Sequence, residues 1–345
     1  MRKEIFLSLS AVAGCAALFA LFQTPTNNGG NFLQVIDPID SVFARYLAKH
    51  GKSYSTKEEY ERRKEIFARQ LKTVTDHNSQ NGASYLLSMN MFSDLTTEEF
   101  ASMYLGDNGS EEVYPEEEVR QVKQSVDAVS PIDWRNMGIV GPVKNQGKCG
   151  SCWSFSTAGP IEEHYAIKYN KSVVLAEQQL VDCSWAYGNN GCNGGLFANG
   201  YAYVRDYGLE LNSTYPYVAN DTLCTYNQNN VVVKITGTIA AVRSASGLKQ
   251  VLMNGPASIS LHVGDTFRAY TSGIYNDASC PTAVNHAVQS VGWGFDSASG
   301  QNYFIVRNSW GPAWGEQGYI RIAETNTDLG ICGMLYRVPM QPIIA

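Results

Sequence analysis

The sequence predicts an α+β protein in which a mostly helical half packs on a strand-rich half, leaving a cleft between them. Helix signals occupy residues 131–220, and strand-like runs punctuated by Gly and Pro follow after residue 230. A further helical stretch over residues 40–105 precedes both halves and is joined to them by an acidic connection. We therefore expect a separate helical domain in front of a two-part globular domain.

Composition supports a folded protein and limits its partners. The chain has 345 residues, 44% of them hydrophobic, which suffices for a sizeable core and for units of roughly 150 residues each. The 20 Tyr, 13 Phe and 6 Trp exclude a chain that is mainly disordered. The net charge of −6 argues against nucleic acid as a partner, because such a binder needs a basic face to displace counterions from phosphate.

Residues 1–22 have the pattern of a secretory signal peptide. Arg2 and Lys3 precede an apolar run from residue 5 to residue 22, and a polar stretch follows. The alternative is an anchor that is not removed, since a run of this length can just span a bilayer. A lipoprotein cleavage site at Cys15 is rejected, because the residues after it are apolar. We expect cleavage, entry into the secretory pathway and no stable membrane span afterwards.

Six residues in the segment 23–127 share one face of a predicted helix, because they are spaced three or four positions apart. They are Glu59, Arg63, Phe67, Gln70, Val74 and Asn78. An ordinary surface helix with one stripe of ion pairs would show the same spacing. Further on, the alternation over residues 90–94 predicts a strand, and either Asp94 or Thr96 is expected to cap the next helix.

Residues 106–127 form an acidic connection that includes three consecutive Glu at 116–118. A segment with so few apolar side chains has little to bury, so we expect it to be exposed and easily cut by proteases. A solvated loop is the simpler interpretation. The position of the connection between two compositionally different parts favours a processing linker, followed by a mature domain at 128–345.

Within residues 128–345 the pattern predicts a helix over 151–170, with a kink at Pro160, and a shorter helix over 175–181. The predicted strands cover residues 231–242, 257–263, 288–292, 302–307 and 318–322.

The number of cysteines points to one unpaired thiol. Of the 8 Cys, Cys15 leaves with the signal peptide, and an oxidising compartment pairs the remainder in even numbers. The thiol left over is either buried and inert or a nucleophile. Cys152 is the best candidate, because it stands at the predicted start of a helix, where the peptide dipoles favour the thiolate.

A thiolate needs a proton partner, and His262 and His286 are the candidates. His164 is excluded, because it lies about 18 Å further along the same predicted helix. Small apolar neighbours would hold the His286 ring in a partly dry site, which favours it over His262. Asn308, at a predicted strand end, suits the residue that accepts the other ring N–H and fixes the tautomer. Trp310 would shield the pair from water.

Four segments that carry these residues resemble those of the papain-like cysteine peptidases, and they occur in family order. They are QGKCGSCWSF at 146–155, GCNGG at 191–195, NHA at 285–287 and NSWGPAWG at 308–315. The resemblance covers about residues 40–338. It implies a papain-like two-domain fold with a helical left domain, a β-barrel-like right domain and the active-site cleft between them, preceded by a helical pro-domain.

The resemblance also implies a role for each residue. Cys152 would be the nucleophile, and His286 would be its base and then the acid for the leaving amine. Asn308 would orient His286, while the Gln146 side chain and the Cys152 N–H would form the oxyanion hole. Substrate would contact Gly194, Gly195, Leu196, Phe197, Val284, Ala287 and Trp310. The two glycines would form an open ledge, and the next four residues an apolar pocket for the second residue before the cut.

Three disulfides are implied in the same way, and no metal or cofactor is. The pairs are Cys149–Cys192, Cys183–Cys224 and Cys280–Cys332, which leaves Cys152 free.

The six-residue helix face resembles the inhibitory pro-segment of the cathepsin L-like branch, with Gln70 and Val74 replacing an Asn and an Ile. Asn90, Phe92 and Asp94 match the second pro-segment motif of that branch, although Ser88 stands where a Gly is usual. The resemblance therefore implies a preproenzyme whose pro-segment is an intramolecular inhibitor.

Two departures from the family pattern bear on activity. Asn285 precedes His286 where papain has Asp, which is expected to alter the pH profile. Arg337 follows Cys332 where the floor of the apolar pocket is expected, and there it would allow an acidic substrate residue. A gap near residues 338–339 would instead point Arg337 outward.

Other functions remain open at this point. The C-x-x-C at 149–152 would also suit a redox dithiol or half of a zinc site, but no second C-x-x-C follows. A non-catalytic relative that only binds would share the fold, but all three catalytic candidates are present. The short span from 183 to 192 leaves no room for the occluding insertion of cathepsin B-like exopeptidases. We therefore expect a cysteine endopeptidase, made as a zymogen and activated at acidic pH.

The sequence also suggests where the protein goes and what it meets. The Asn-x-Ser/Thr triplets at Asn108, Asn170, Asn212 and Asn220 fit passage through the secretory pathway. The expected destination is a lysosome, vacuole or equivalent acidic vesicle, or secretion. Expected partners are protein and peptide substrates, the pro-segment itself and cystatin-type inhibitors, and a monomer is expected.

Overall fold

The computed structural model describes residues 38–107 and 130–345. The predicted signal peptide at 1–22 and the part of the acidic connection from residue 108 to residue 127 lie outside the described residues. Within the described ranges, none of the helices combines the length and the apolar character needed to cross a bilayer.

Three helices and one short strand make up residues 38–107. They are α1 (Pro38–His50), α2 (Lys57–Asn78), β1 (Tyr85–Leu87) and α3 (Thr97–Tyr104). The predicted helix with the six-residue face is α2, and Thr56 caps it by accepting a hydrogen bond from the Glu59 N–H. Thr96 caps α3 in a capping box with Glu99, as one of the two expected caps.

The strand predicted over residues 90–94 is wrong. Residues 91–94 form a turn instead. The side-chain oxygen of Asn90 accepts a hydrogen bond from the Phe92 N–H at 3.0 Å, and the Asn90 N–H donates to Ser93 Oγ at 2.8 Å. Such local bonds from Asn and Ser side chains compete with strand pairing, so alternation alone misleads here.

The helical half consists of α4 (Cys152–Tyr169), α5 (Glu177–Cys183) and α6 (Phe197–Tyr207). The predicted helix over 151–170 is α4, which continues past Pro160. The helix predicted over 175–181 is α5, shifted towards the C-terminus. No pattern in the sequence predicted α6. Its inner face joins α4 and α5 in one apolar core that includes Trp153, Ile161, Leu180 and Tyr201.

The strand-rich half is built on a nine-stranded sheet. Besides β1, its members are β2 (Ile132–Asp133), β5 (Ile235–Ala240), β6 (Ala257–Leu261), β7 (Tyr270–Tyr275), β8 (His286–Asp296), β9 (Gln301–Arg307), β10 (Tyr319–Ala323) and β11 (Met340–Ile344). A separate pair joins β3 (Leu209–Glu210) to β4 (Val231–Val233). The short helices α7 (Ala245–Leu252) and α8 (Asp265–Arg268) connect strands.

Strand order in the large sheet is β1-β7-β10-β9-β8-β6-β11-β5, with β2 beside β8. Only β7 and β10 pair in parallel within it. The two end strands of this order, β1 and β5, do not pair with each other, so the described sheet is open and does not form a closed barrel. All five strand regions predicted within residues 128–345 contain strands, whereas β1, β2, β3, β7 and β11 were not predicted.

Two contacts between elements position the cleft. The Ser156 hydroxyl of α4 donates a hydrogen bond to the Val288 carbonyl of β8 at 2.7 Å, which brings the start of α4 to the start of β8. In the front domain, β1 pairs antiparallel with β7, so Tyr85 lies opposite Gly273. The front domain therefore extends the sheet of the globular domain as an edge strand.

Candidate active site

Cys152 is the first residue of α4, and its side chain is fully buried. It is the only cysteine outside a disulfide in the part of the chain that the structure describes. The three disulfides are the pairs that the resemblance implies: Cys149–Cys192, Cys183–Cys224 and Cys280–Cys332. Because Cys149 is bonded to Cys192, it cannot form a redox dithiol with Cys152. Across the described residues, no group of three His, Cys, Asp or Glu could hold a metal ion.

His286, the first residue of β8, directly precedes a residue whose backbone contacts the sulfur. The N–H of Ala287 donates to Sγ of Cys152 at 3.4 Å. Nε2 of His286 lies 2.8 Å from Oδ1 of Asn308, an acceptor, so Nε2 carries the hydrogen in the neutral ring. The lone pair is then on Nδ1, which has no hydrogen-bond partner among the described residues. His262 bonds to a loop carbonyl instead.

Asn308 directly follows β9, and the chain around it holds its amide in place. Its Oδ1 also accepts a hydrogen bond from the Ser309 N–H at 2.8 Å. The ring of Trp310 lies over His286, with 4.8 Å between ring centroids, and is buried. Trp310 thus packs against the ring that bonds to Asn308, and its role in keeping water away stays a prediction.

Burial shifts the pKa values of Cys152 and His286 in the directions that favour their neutral forms. It raises the pKa of the Cys152 thiol to about 12, against the opposing effect of the Ala287 N–H. Burial also lowers the pKa of His286 to about 4, although its bond to Asn308 opposes this. Desolvation of the sulfur thus opposes the effect of the helix start, which favours the thiolate.

The side chain of Gln146 is held in place by three hydrogen bonds. Its Oε1 accepts from the Ser309 hydroxyl at 2.6 Å, and its Nε2 donates to the Cys149 carbonyl at 2.8 Å. Nε2 also donates to the carbonyl of Tyr104, at the end of α3, at 2.9 Å. A donor suited to an oxyanion therefore contacts a carbonyl of the front domain.

The residues after Tyr104 run through the cleft. The N–H of Gly195, one of the two glycines predicted to form a ledge, donates to the Gly106 carbonyl at 2.8 Å. Gly106 lies so close to Gly150 that a Cβ on Gly106 would be 1.8 Å from the Gly150 oxygen. Gly106 and Asp107 were expected to be exposed as part of the connection. They are buried, because the cleft satisfies their backbone groups where their own apolar content could not.

Arg337 points into the cleft, so the alternative that places it outward is wrong. It is 5% exposed, and its Nη2 lies 2.9 Å from Oδ1 of Asp107. Of the predicted pocket residues, Phe197 and Ala287 are buried in the same apolar cluster as Cys152. Leu196 and Val284 are partly buried.

The motif residues of α2 and the following turn form a framework within the front domain. Phe67 packs in an aromatic cluster with Phe43 and Tyr46. Arg63 bonds to Glu59 at 2.6 Å and to Glu99. Asn78 bonds to both the N–H and the carbonyl of Leu87 in β1, and Asp94 accepts hydrogen bonds from Tyr46, Lys52 and Tyr54.

Other motif residues contact the globular domain. Asn90 Nδ2 donates to the Arg268 carbonyl at 2.8 Å, and the Arg268 guanidinium contacts Gln70 Oε1 at 3.3 Å. Val74 and Phe92 are buried in the core of the strand-rich half, and Phe92 packs edge-on against Trp310.

Sequence reasoning missed three residues of this interface: Arg268, Gly106 and Asp107. No pattern marks Arg268 as different from any surface arginine. The opposite charges of Asp107 and Arg337 were a signal, but their separation along the chain hid it. Of the glycosylation candidates, Asn170 and Asn220 are exposed, Asn212 is partly buried, and Asn108 lies outside the described residues.

Two protein-family models match the chain. "Papain family cysteine protease" matches residues 128–340, and "Cathepsin propeptide inhibitor domain (I29)" matches residues 43–100. The first covers more than half of the chain.

Individual relatives agree with both models. A cathepsin L-like proteinase of Fasciola hepatica is 38% identical over 313 residues, covering 89% of this chain and 95% of that protein. One of Phaedon cochleariae is 41% identical over 299 residues, covering 84% and 90%. Among solved structures, digestive procathepsin L 3 of Tenebrio molitor aligns with a TM-score of 0.79 and 32% identity, covering 89% of this chain and 99% of that one. The chain therefore belongs to the papain family of cysteine proteases and carries a cathepsin-type inhibitory propeptide domain.

Proposed function

We propose that this protein is an endopeptidase that cuts peptide bonds with Cys152, His286 and Asn308, and that it is made as a zymogen activated at acidic pH. One observation carries the proposal. The Asn308 acceptor assigns the ring hydrogen of His286 to Nε2, which leaves the Nδ1 lone pair on the residue beside the sulfur.

The first step is attack by sulfur. Nδ1 of His286 takes the proton of Cys152, and the thiolate attacks the carbonyl carbon of the peptide bond. The carbonyl π electrons move to oxygen, and the Cys152 N–H and Gln146 Nε2 donate hydrogen bonds to that oxyanion. The imidazolium then gives its proton to the leaving amine as the C–N bond breaks, which leaves a thioester on Cys152.

The second step is hydrolysis of the thioester. His286 removes a proton from water, and the hydroxide formed attacks the same carbon. The C–S bond breaks, the carboxylic acid product leaves, and the thiol and the neutral imidazole are restored. Asn308 orients the ring in both steps, and Trp310 keeps water from the bond between them.

Inhibition by the propeptide domain follows from what lies in the cleft. The carbonyl of Tyr104 accepts a hydrogen bond from the Gln146 side chain. Gly106 packs against Gly150, and Asp107 forms an ion pair with Arg337. Under the proposed roles, substrate would need all three places. Propeptide removal opens the cleft, re-exposes the sulfur to solvent and lets the thiolate–imidazolium pair form.

Processing and destination remain predictions from the sequence. We expect the mature chain to begin between residues 124 and 131, near the proposed boundary at 128. We also propose passage through the secretory pathway to an acidic vesicle or to the exterior, and cystatin-type inhibitors as partners of the monomer.

The test is acid activation of the full chain. We expect N-terminal sequencing to give a mature form starting at 124–131, and a thiol-directed inhibitor to label Cys152 and abolish cleavage of casein. Cys152→Ser should leave the disulfides intact and abolish cleavage. Casein cleavage by Cys152→Ser at the rate of the unsubstituted enzyme would refute the proposal.

A further inference from the structure

A buried ion pair joins the propeptide to the floor of the cleft. Nη2 of Arg337 lies 2.9 Å from Oδ1 of Asp107, and Nε of Arg337 donates to Oδ2 at 3.3 Å. The two side chains are 4% and 1% exposed. The guanidinium thus faces both carboxylate oxygens, with a hydrogen bond from Nε to Oδ2 and a close charge contact from Nη2 to Oδ1.

The backbone around Asp107 is bound as a peptide ligand is bound. The Gly106 carbonyl accepts from the Gly195 N–H at 2.8 Å, and the Asp107 N–H donates to the Asn285 carbonyl at 3.1 Å. These contacts lie on either side of the cleft, one on the glycine ledge and one directly before His286. The Asp107 carboxylate therefore occupies a side-chain pocket of the substrate cleft and not a separate surface.

The pocket is the one proposed for the second residue before the cut. Ser260, which lies close enough to interact with the Asp107 carboxyl, pairs across the sheet with Ala287, a predicted pocket residue. Asp107 is also close enough to Cys152 to influence the thiol electrostatically. In the propeptide, Tyr104 contacts Gln146 through its carbonyl, and Asp107, three residues later, contacts Arg337 in the pocket.

Propeptide removal takes this carboxylate away from Arg337. A guanidinium in a pocket that substrate then closes is stabilised by a new carboxylate and destabilised by an apolar side chain, because a buried charge without its counter-charge is costly. We propose that Arg337 makes this pocket selective for an acidic side chain, Glu or Asp, in the substrate residue second before the cleaved bond. This inference rests on the proposed function and adds the substrate class to it.

The propeptide then carries the side chain that the pocket prefers without being a substrate. A substrate places its pocket residue before the bond at the sulfur, whereas Asp107 comes after Tyr104 and Gly106 in the chain. The propeptide therefore runs through the cleft in the direction opposite to that of a substrate. Its pocket residue, Asp107, follows the part of the chain near Cys152, whereas the pocket residue of a substrate precedes the bond that is cut.

The experiment compares peptides that differ at one residue. The mature, acid-activated enzyme is given three otherwise identical peptides with Glu, Gln or Leu second before the cut, at pH about 5.5, where Glu is ionised. We expect kcat/KM for Glu to exceed that for Gln by about tenfold to hundredfold, the range for a hydrogen bond to a charged group. We also expect Glu to exceed Leu.

Arg337→Gln keeps a polar side chain and removes the charge. It should abolish the Glu-over-Gln preference while still cutting the Leu peptide. Arg337→Glu should invert the preference towards a Lys peptide.

The outcomes separate this inference from the proposed function. Unsubstituted enzyme that cuts Gln and Leu peptides as well as or better than the Glu peptide overturns the pocket selectivity alone, whatever the variants do. Enzyme that cuts none of the three, with Cys152 unlabelled by a thiol-directed inhibitor, overturns the proposed function and this inference with it.

Discussion

Nε2 of Gln146 donates a hydrogen bond to the carbonyl oxygen of Tyr104 at 2.9 Å. The donor proposed for the oxyanion thus contacts a neutral carbonyl of the propeptide. The same donor in the mature enzyme would face an oxygen that becomes fully charged only during the reaction, where a fixed hydrogen bond lowers the barrier most.

Gln146→Ala should therefore lower kcat of the mature enzyme by about 10²-fold to 10³-fold while KM changes little. Steady-state kinetics on a peptide substrate would measure both values. The matched control is Gln228→Ala, because that side chain is exposed and remote from the cleft residues described above. An unchanged kcat in Gln146→Ala would show that Gln146 does not contribute to the oxyanion hole.

Asn308→Ala should lower kcat by about 10²-fold, since the Nε2–H of His286 loses the acceptor that fixes its tautomer. A positioning role also changes the pH dependence of kcat/KM, whereas simple loss of folded protein would not. Asn302→Ala, in an exposed position on β9, should leave both unchanged. An Asn308→Ala enzyme with the parent pH profile and kcat would contradict the role.

The sequence predicted the residues of the proposed catalytic centre because they stand in short, distinctive segments. Cysteine parity and a helix start favoured Cys152, small apolar neighbours favoured His286 over His262, and a strand end favoured Asn308. Periodicity likewise predicted α2, where burial repeats at helical spacing.

What the sequence could not predict depends on distant partners. Residues 106–107 look like the beginning of a solvated connection, yet the cleft buries them by binding their backbone. The turn at 91–94 follows from side-chain hydrogen bonds of Asn90 and Ser93, which alternation of apolar residues does not reveal. The direction of Arg337 was open until Asp107 was located beside it.

Asp94→Asn should weaken the propeptide domain by about 3 kcal/mol, as expected when one partner of a buried pair is removed. Its carboxylate accepts hydrogen bonds from Tyr46, Lys52 and Tyr54 and is 3% exposed. The full-length variant should generate mature activity at pH 7 faster than its parent. Asp76→Asn is the control, since its ion pair with Lys72 is on the surface. Equal activation rates for Asp94→Asn and its parent would contradict this role.

Acidification should release the propeptide, because the pKa values of His286, Asp94 and Glu99 are all lowered in the docked chain. Burial lowers the pKa of His286 to about 4, so the docked state resists protonation of this ring and is weakened at any pH where the undocked ring takes up a proton. Burial alone would raise the pKa of Asp94 and of Glu99. Hydrogen bonds from Lys52 to Asp94 and from Arg63 to Glu99 outweigh it and lower the pKa of both. The folded propeptide domain therefore loses stability as pH falls below about 4.5 through Glu99 and below about 3.8 through Asp94.

Asp107 acts in the opposite direction. Burial raises its pKa despite Arg337, so its contribution to docking is fully present at low pH and is lost as pH rises. Thermal unfolding of full-length Cys152→Ser between pH 7 and pH 3 should show the propeptide domain weakening with acid. Adding Asp107→Asn should leave that acid-induced loss in place, whereas adding Asp94→Asn should reduce the part of it that occurs below about pH 3.8. If Asp107→Asn removes the loss of propeptide stability in acid, Asp107 causes that loss and does not oppose it.

Gly106→Ala should activate the zymogen without any cut in the chain. A Cβ at this position would lie 1.8 Å from the Gly150 oxygen, a distance that only a shift of the propeptide backbone can relieve. That shift breaks the bond from the Gly195 N–H to the Gly106 carbonyl and draws Asp107 away from Arg337. Labelling of Cys152 by a thiol-directed reagent at pH 7, in a chain shown by mass to be intact, should be much faster than in the parent. Gly141→Ala adds the same methyl where no heavy atom lies within 4 Å and should label as slowly as the parent. If Gly106→Ala labels no faster than Gly141→Ala, the cleft tolerates the methyl and the close approach to Gly150 does not hold the propeptide in place.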